Sequence, residues 1–295
     1  METMETKKTI AVLGGDKRQA YAAQALMRAG LAVRQFGVPE VPGVEQGEPC
    51  ETIRAAVKDA DYVLAPVPFK DMSEEALVAN LEQGQIFFAG MLPESLAAHC
   101  KAEGIECHDL LEREDFAVLN AISTAEGAVA EAILAGDINL HLSSALVLGY
   151  GRCGRPLVKK LLGLGVRVTV ATRRWEAACA AIADGCDVLD FQLMPYHLPR
   201  FQYIFNTVPA VLLGEEELAR VAKETVIIDI AAAPGGLDYE RAEALELNAK
   251  LCPGLPGKYA PRTTGESIAQ ITRIILEERE GFKWGDWNMP EPESE

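Results

Sequence analysis

Three glycines and a pair of arginines are the residues whose types and spacing most directly imply chemistry. In Leu146-Val147-Leu148-Gly149-Tyr150-Gly151-Arg152-Cys153-Gly154-Arg155 an apolar run breaks into a G-x-G-x-x-G and then enters a helix-forming segment. In a dinucleotide fold the first glycine turns the chain off its strand, the second leaves room for a phosphate, and the third lets the helix sit close to the sheet. The free N–H groups of the helix N-terminus then face the anion. Gly149, Tyr150, Gly151, Arg152, Cys153 and Gly154 are therefore the expected pyrophosphate-binding turn. About twenty residues past the first glycine, where an acid would read the ribose 2′-hydroxyl of NAD, the chain has Thr172-Arg173-Arg174. Two guanidinium groups there match the 2′-phosphate of NADP in fork geometry. The alternative is a pair of solvated arginines at a helix start, and NADP is the expected cofactor.

Other candidates depend on loops that leave the carboxyl ends of strands. Thr207-Val208-Pro209 and the stretch Ala231 to Gly236 stand where a nicotinamide ring would lie, though tight turning alone accounts for both. Asp16 is explained by a helix N-cap, with substrate contact as the alternative. Arg18 and Arg262 each sit beside a glycine-rich turn, and they would be the natural clamps for a carboxylate ligand; surface charge is the competing explanation. Lys258 and Glu126 are weaker candidates, since Ser123-Thr124-Ala125-Glu126 has capping-box spacing. His99-Cys100 and Cys107-His108 suggest a metal only superficially. A helix end and a strand need not bring those side chains together, so buried thiols are expected and no metal. Hydrolase and kinase signatures such as H-E-x-x-H, G-x-S-x-G and the phosphate loop do not occur.

The elements that position these residues follow from periodicity. Thr9 to Gly15 reads as a buried parallel strand, an amphipathic helix runs from Lys17 to Ala29, and Leu31 to Gly37 is a second strand. Alternating strands and helices continue to about Asn120, which implies a parallel sheet covered on both faces. A helix from Ser123 to Ala135 bridges into a second doubly wound unit built on the glycine fingerprint. The Pro- and Gly-rich stretch Pro253 to Gly265 reads as a rigid loop, followed by a last helix from Glu266. The expected organisation is thus α/β, two Rossmann-like doubly wound parallel-sheet domains with a cleft between them. Residues 1–121 form the substrate and catalytic domain, 122–265 the NADP-binding domain, and the C-terminal helix 266–295 packs back on the first. Trp284 and Trp287 in the acidic tail are expected to pack on the body or meet a partner chain.

The composition agrees with this assignment. A chain of 295 residues exceeds the size at which a single core stops growing. A net charge of −16 with no basic patch argues against nucleic-acid or membrane partners. Seven cysteines, an odd count, with no secretory leader fit reduced thiols, and no stretch reads as long enough to span a bilayer. The expected location is cytoplasmic.

With these residues in view, the chain resembles the dipicolinate synthase A family, two-domain oxidoreductases of spore-forming bacteria. The resemblance is carried by Ala11-Val12-Leu13-Gly14-Gly15-Asp16-Lys17-Arg18-Gln19, by Thr124-Ala125-Glu126-Gly127, by the fingerprint, and by Asn206-Thr207-Val208-Pro209. Pro234-Gly235-Gly236 with Asp238, and Pro253-Gly254-Leu255-Pro256-Gly257 followed by Ala260-Pro261-Arg262-Thr263, complete it. It implies NADP-dependent oxidation of dihydrodipicolinate, or its hydroxytetrahydro precursor, to dipicolinate in dipicolinic acid biosynthesis during sporulation. It also implies a second, flavoprotein-like component, dipicolinate synthase B, in a hetero-oligomer, with homo-oligomerisation expected as well. Under that reading Arg18 and Arg262 clamp the dicarboxylate while Thr263 orients the ring and Glu126 is a further catalytic candidate. Two alternatives remain: a 2-hydroxyacid dehydrogenase relative, for which none of the four histidines stands at the expected late position, and a catalytically silent NADP-binding regulatory protein.

Overall fold

The structure, a computed structural model, describes residues 7–280. The described residues divide into two compact units, one formed by residues 7–117 with 261–280 and the other by residues 118–260. Expectations about Trp284 and Trp287 lie outside the described residues.

In the first unit the strands are β1 (Thr9–Leu13), β2 (Ala32–Phe36), β3 (Glu48–Pro49), β4 (Tyr62–Leu64), β5 (Ile86–Ala89) and β6 (Glu106–Asp109). They form one parallel sheet in the order β3-β2-β1-β4-β5-β6. Helices α1 (Lys17–Arg28), α2 (Ile53–Val57), α3 (Glu74–Val78) and α4 (Glu94–Glu103) connect them. Central strands such as Ile10-Ala11-Val12-Leu13 and Ile86-Phe87-Phe88-Ala89 are buried along their length, as parallel strands covered on both faces must be. Asp16 caps α1 through a 3.0 Å bond from the Arg18 backbone N–H.

Helix α5 (Glu114–Ala135) is 22 residues long, and the boundary between the units falls in its first turn. It starts well before the expected Ser123, which is buried in the interior of the helix rather than standing at its cap. Thr124 Oγ1 donates to the Asn120 carbonyl at 2.9 Å, which a mid-helix threonine does without ending the helix. By length and composition α5 is apolar enough to cross a membrane, contrary to the expectation that no stretch would be. Its alanine content explains both facts: Ala125, Ala128 and Ala132 form a buried stripe against Leu157, Leu161, Tyr203 and Phe205 in the core of the second unit.

That unit contains β7 (Ser144–Leu148), β8 (Arg167–Ala171), β9 (Asp187–Leu189), β10 (Tyr203–Asn206), β11 (Val226–Asp229) and β12 (Asn248–Leu251). Its helices are α6 (Gly154–Gly163), α7 (Trp175–Ala183), α8 (Glu215–Leu218), α9 (Tyr239–Ala244) and α10 (Leu255–Tyr259). The sheet order is β12-β11-β10-β7-β8-β9, again fully parallel. Numbered within each unit, both sheets read 3-2-1-4-5-6, the order of a Rossmann fold. Each has its topological switch where the first and fourth strands lie side by side.

The expected loop from Pro253 to Gly265 is mostly helical. Gly254 turns the chain in the left-handed region at φ +68°, and Pro256 then sits in the first turn of α10. Pro261 opens the final helix α11 (Pro261–Glu280). Proline at a first helical position lacks only a donor that would be unsatisfied anyway, so these prolines start helices rather than prevent them. Helix α11 packs on α1. The approach is close enough that a Cβ on Gly265 would come within 2.4 Å of the Arg18 carbonyl.

Candidate active site

The second unit holds the fingerprint at the carboxyl end of β7, and the three glycines do three different things there. Gly149 turns at φ +92°, and a Cβ on it would meet Thr207 Oγ1 at 2.7 Å and Val208 Cγ2 at 2.8 Å. A Cβ on Gly154 would meet the Gly149 carbonyl oxygen at 2.4 Å, so α6 can begin this close to the strand only with glycine. A Cβ on Gly151 would meet nothing within 4 Å. Two glycines are thus required by the protein itself, and the third leaves open space beside the start of a ten-residue helix. That division fits a dinucleotide pyrophosphate.

Not every residue of the fingerprint faces outward. Gly151 and Arg152 are exposed and Cys153 is half-buried at the start of α6. Tyr150, expected to bind cofactor, is buried instead, with its hydroxyl on Asp184 and the Arg155 guanidinium 5.5 Å from its ring centroid. Burial first, and then the Asp184 bond, push its phenol well above the usual range. Its side chain belongs to the core; only its backbone faces the turn.

Strand β8 pairs with β7 in register, Leu148 opposite Ala171, so the turns that follow the two strands are neighbours. Thr172 Oγ1 accepts from the Arg174 backbone N–H at 3.3 Å, which shapes the turn before α7. Arg173 and Arg174 are exposed, and among the described residues neither forms an ion pair. On the other side of β7, Thr207 donates its hydroxyl to the Leu148 carbonyl at 2.8 Å.

The loops after β10 and β11 are tied together by two residues that the sequence did not single out for a role of their own. Asn206 and Asp229 are fully buried strand ends. Asp229 accepts from Asn206 Nδ2 at 2.8 Å, Ala231 N at 2.9 Å, Gly236 N at 2.7 Å and the Tyr239 hydroxyl at 2.7 Å. Asn206 in turn accepts from Val208 N at 3.1 Å and donates to the Val208 carbonyl at 3.0 Å. Thr207, Val208, Pro209 and Ala231 are therefore held by one buried polar network. The signal for it in the sequence was an Asn and an Asp each ending an apolar strand, where a polar residue without a partner would be costly.

A second buried carboxylate anchors α10. Glu131, 2% exposed, accepts from Lys250 and Lys258, each at 2.5 Å, and from the Tyr259 hydroxyl at 2.9 Å. The bonds from Lys250 and then Lys258 hold its carboxyl down at about 2, against the smaller opposing effect of burial. Lys258 is thus a structural partner of α5. Glu126, on the same helix, gives its carboxylate to Lys160 at 2.7 Å on an exposed surface, and it lies inside the helix rather than at a capping position.

A folded-state pKa lowered from the ordinary 4.5 means that Glu131 stabilises the second unit fully above that value and progressively less as pH falls towards 2. Glu131→Gln is expected to cost about 2 kcal/mol near neutrality. That is the loss of charge-assisted bonds, kept below the value for a fully buried pair because both lysines are half exposed. Urea melts at pH 7 and pH 3 check this, since the gap between parent and variant closes on acidification.

In the first unit, Arg18 and the first turn of α11 are adjacent. Arg18 is 7% exposed, and its Nε and Nη2 bond the Asp16 carboxylate at 2.9 and 2.8 Å. Burial pushes Asp16 up, but the Arg18 bonds and the charge of Lys70 outweigh it and hold the carboxyl below its ordinary range. Lys70, in the loop after β4, is a cation near this turn that sequence reasoning missed. Gln19 spans the switch point of this sheet, donating to the carbonyls of Leu13 at 3.3 Å and Ala65 at 3.0 Å, while its buried Oε1 has no partner among the described residues. Arg262 and Thr263 are exposed in the first turn of α11, with Arg262 Nε on Glu266 at 2.9 Å. Gly265 against the Arg18 carbonyl brings that turn to the start of α1. Arg18, Arg262 and Thr263 accordingly share one unit, whereas Glu126 and the fingerprint belong to the other.

The thiols of Cys100 and Cys107 do converge, by hydrogen bonding to each other, and burial followed by the neighbouring sulfur pushes Cys100 up to about 11. His108 stacks on Phe88 and pairs with Glu106 at 2.9 Å on the edge strand β6, where Arg279 also holds Glu106. That histidine–acid pair therefore has a structural role.

Residues 9–111 match the family model for the N-terminal domain of dipicolinate synthase A. The chain is 29% identical to dipicolinate synthase A of Bacillus subtilis, covering 93% of this chain and 98% of that one. Dipicolinate synthase A from Bacillus halodurans superposes with a TM-score of 0.81 at 26% identity, covering 93% and 99% of the two chains. At the level of fold alone, a transhydrogenase from Sinorhizobium meliloti superposes with a TM-score of 0.69 at 15% identity, over 92% of this chain and 95% of that one. Sequence and fold together make the chain similar to dipicolinate synthase A over nearly its whole length, and mark it as an NAD(P)-dependent oxidoreductase built from two Rossmann-like units.

Proposed function

We propose that the chain oxidises dihydrodipicolinate, or its hydroxytetrahydro precursor, to dipicolinate with NADP as hydride acceptor, in a complex with the flavoprotein-like dipicolinate synthase B. The observation that carries this reading is the open Gly151 turn beside two arginines that form no ion pair among the described residues, in a chain similar to dipicolinate synthase A. Gly149, Gly151, Arg152, Cys153 and Gly154 take the pyrophosphate, Arg173 and Arg174 the 2′-phosphate, and the loops holding Thr207, Val208, Pro209 and Ala231 the nicotinamide end. A nicotinamide cofactor held there would supply the hydride-accepting chemistry that the oxidation needs.

The chain's own residues bind and orient the substrate. Arg18 is presented rigidly, because Asp16 fixes Nε and Nη2 while Nη1 has no partner among the described residues. Arg262 supplies the second cation for a dicarboxylate and Thr263 a hydroxyl to the ring. One proton leaves to solvent as the dihydro ring becomes a pyridine, and the hydroxytetrahydro precursor first loses water to give that dihydro ring. Aromatisation supplies much of the driving force, so no strongly tuned base is required. Glu126, the further candidate, pairs with Lys160 on an exposed face of the second unit.

The test mixes the protein with dipicolinate synthase B, dihydrodipicolinate and either NADP or NAD, and follows nicotinamide reduction together with pyridine absorbance. Reduction with NADP is expected. Arg173→Ala/Arg174→Ala should remove roughly tenfold to a hundredfold of the preference for NADP over NAD, the loss of charge-assisted bonds to one phosphate. Absence of reduction with either cofactor in the full complex would leave the reading of a catalytically silent NADP-binding protein.

A further inference from the structure

Trp175 is the first residue of α7 and 73% of it is exposed. An indole left in water contributes no burial to the fold, although Trp is among the residues that gain most from it. Its place explains the exposure. It follows Arg173 and Arg174 directly, at the carboxyl edge of β8, and β8 lies in register with the strand that ends in the Gly149 turn. In this fold the end of the second strand is where the ribose next to the adenine is read. The position thus combines an unpacked aromatic face, two cations without ion pairs among the described residues and, one strand over, open space at Gly151.

We infer that Trp175 is the platform on which the adenine ring of the dinucleotide stacks. The inference rests on the dinucleotide reading of this unit but is separable from the choice between NADP and NAD, because the indole meets the base and the arginines meet the 2′-phosphate. A planar base on an indole face is a sequence-tolerant contact of appreciable strength. Cys179 and Ile182, one and two turns further along α7, are also exposed and extend an apolar stripe away from the turn. A protein partner seated on that stripe is the competing use of Trp175.

The experiment is titration calorimetry of the whole chain with ADP, 2′,5′-ADP and nicotinamide mononucleotide, for the parent, Trp175→Ala, Trp175→Phe and Arg173→Ala/Arg174→Ala. Trp175→Ala should weaken ADP and 2′,5′-ADP by the same factor, about tenfold, and leave the mononucleotide unchanged. Trp175→Phe should retain most of the affinity for both. The double arginine variant should change only the ratio of 2′,5′-ADP to ADP, so failure of the NADP reading shows in that ratio while the stacking shows in ADP itself. Parent-like ADP binding by Trp175→Ala overturns the inference, and so does a change confined to its sedimentation behaviour. A parent that binds neither adenine nucleotide overturns it together with the dinucleotide reading.

Discussion

Gly151→Val should leave the second unit as stable as the parent and lower dinucleotide affinity at least a hundredfold. The first half follows from geometry: a Cβ at this position would meet no atom within 4 Å, so the fold has room for it. Substitutions at such sites usually fall within about 0.5 kcal/mol of the parent. The second half follows from the same open space being where a pyrophosphate must approach the backbone. A hundredfold loss corresponds to roughly 2.7 kcal/mol, reasonable for an isopropyl group occupying the phosphate site. Gly154→Ala makes the contrast. Its Cβ would lie 2.4 Å from the Gly149 carbonyl oxygen, so the strand-to-helix turn must shift. That variant should lose about 1–3 kcal/mol of stability as well as affinity. Thermal melts with calorimetric titration of NADP separate the two, and a Gly151→Val protein that binds NADP normally would remove the turn from the cofactor site.

Asp229→Ala is expected to have the largest effect on stability. It leaves buried donors on Asn206, Ala231, Gly236 and Tyr239 without the acceptor they share. A buried donor left unsatisfied costs about 1–3 kcal/mol. Relaxation and water entry temper the sum, and a loss of about 4 kcal/mol is expected, or roughly 10 °C in melting temperature. Because the network holds the loops that carry Thr207 to Pro209 and Ala231, nicotinamide affinity should fall with it. Binding of 2′,5′-ADP, which avoids those loops, should change much less once the variant is studied well below its melting temperature. A melting temperature within about 2 °C of the parent, a shift worth about 1 kcal/mol or less, would show that the network is not what holds these loops.

The dinucleotide unit was readable from sequence because its constraints are local. Gly149, Gly151 and Gly154 are short-range geometry, and Arg173-Arg174 follows at the spacing of one helix and one strand. Parallel strands buried on both faces are apolar throughout, which made β1, β5, β7 and β11 plain. What was missed depends on partners distant in sequence. Tyr150 looks like part of the turn until Asp184 claims its hydroxyl. Ser123-Thr124 looks like a cap until the helix is seen to run through it from Glu114. Glu131 reads as one more surface acid on an alanine-rich helix, and only the fold brings Lys250, Lys258 and Tyr259 to it. The prolines after Leu251 read as loop punctuation, yet proline starts a helix as readily as it ends one, and the sequence around it does not say which. Lys70 gave no local signal at all.

Helix α11 completes the first unit although the whole of the second unit precedes it in the chain. The second unit is one continuous segment, and when folded it holds α5 against α10, with Gly127 facing Leu255 and Tyr259. A long loop costs entropy to close, and here the intervening unit removes most of that cost by drawing its own two ends together. On the ribosome, where segments become available in order, the Arg18 side of the proposed substrate site is made first and its Arg262 side almost last. The first unit is therefore the late one to mature. A chain cut short before α11 would carry a finished nucleotide unit and a first unit lacking the helix that supplies its second arginine.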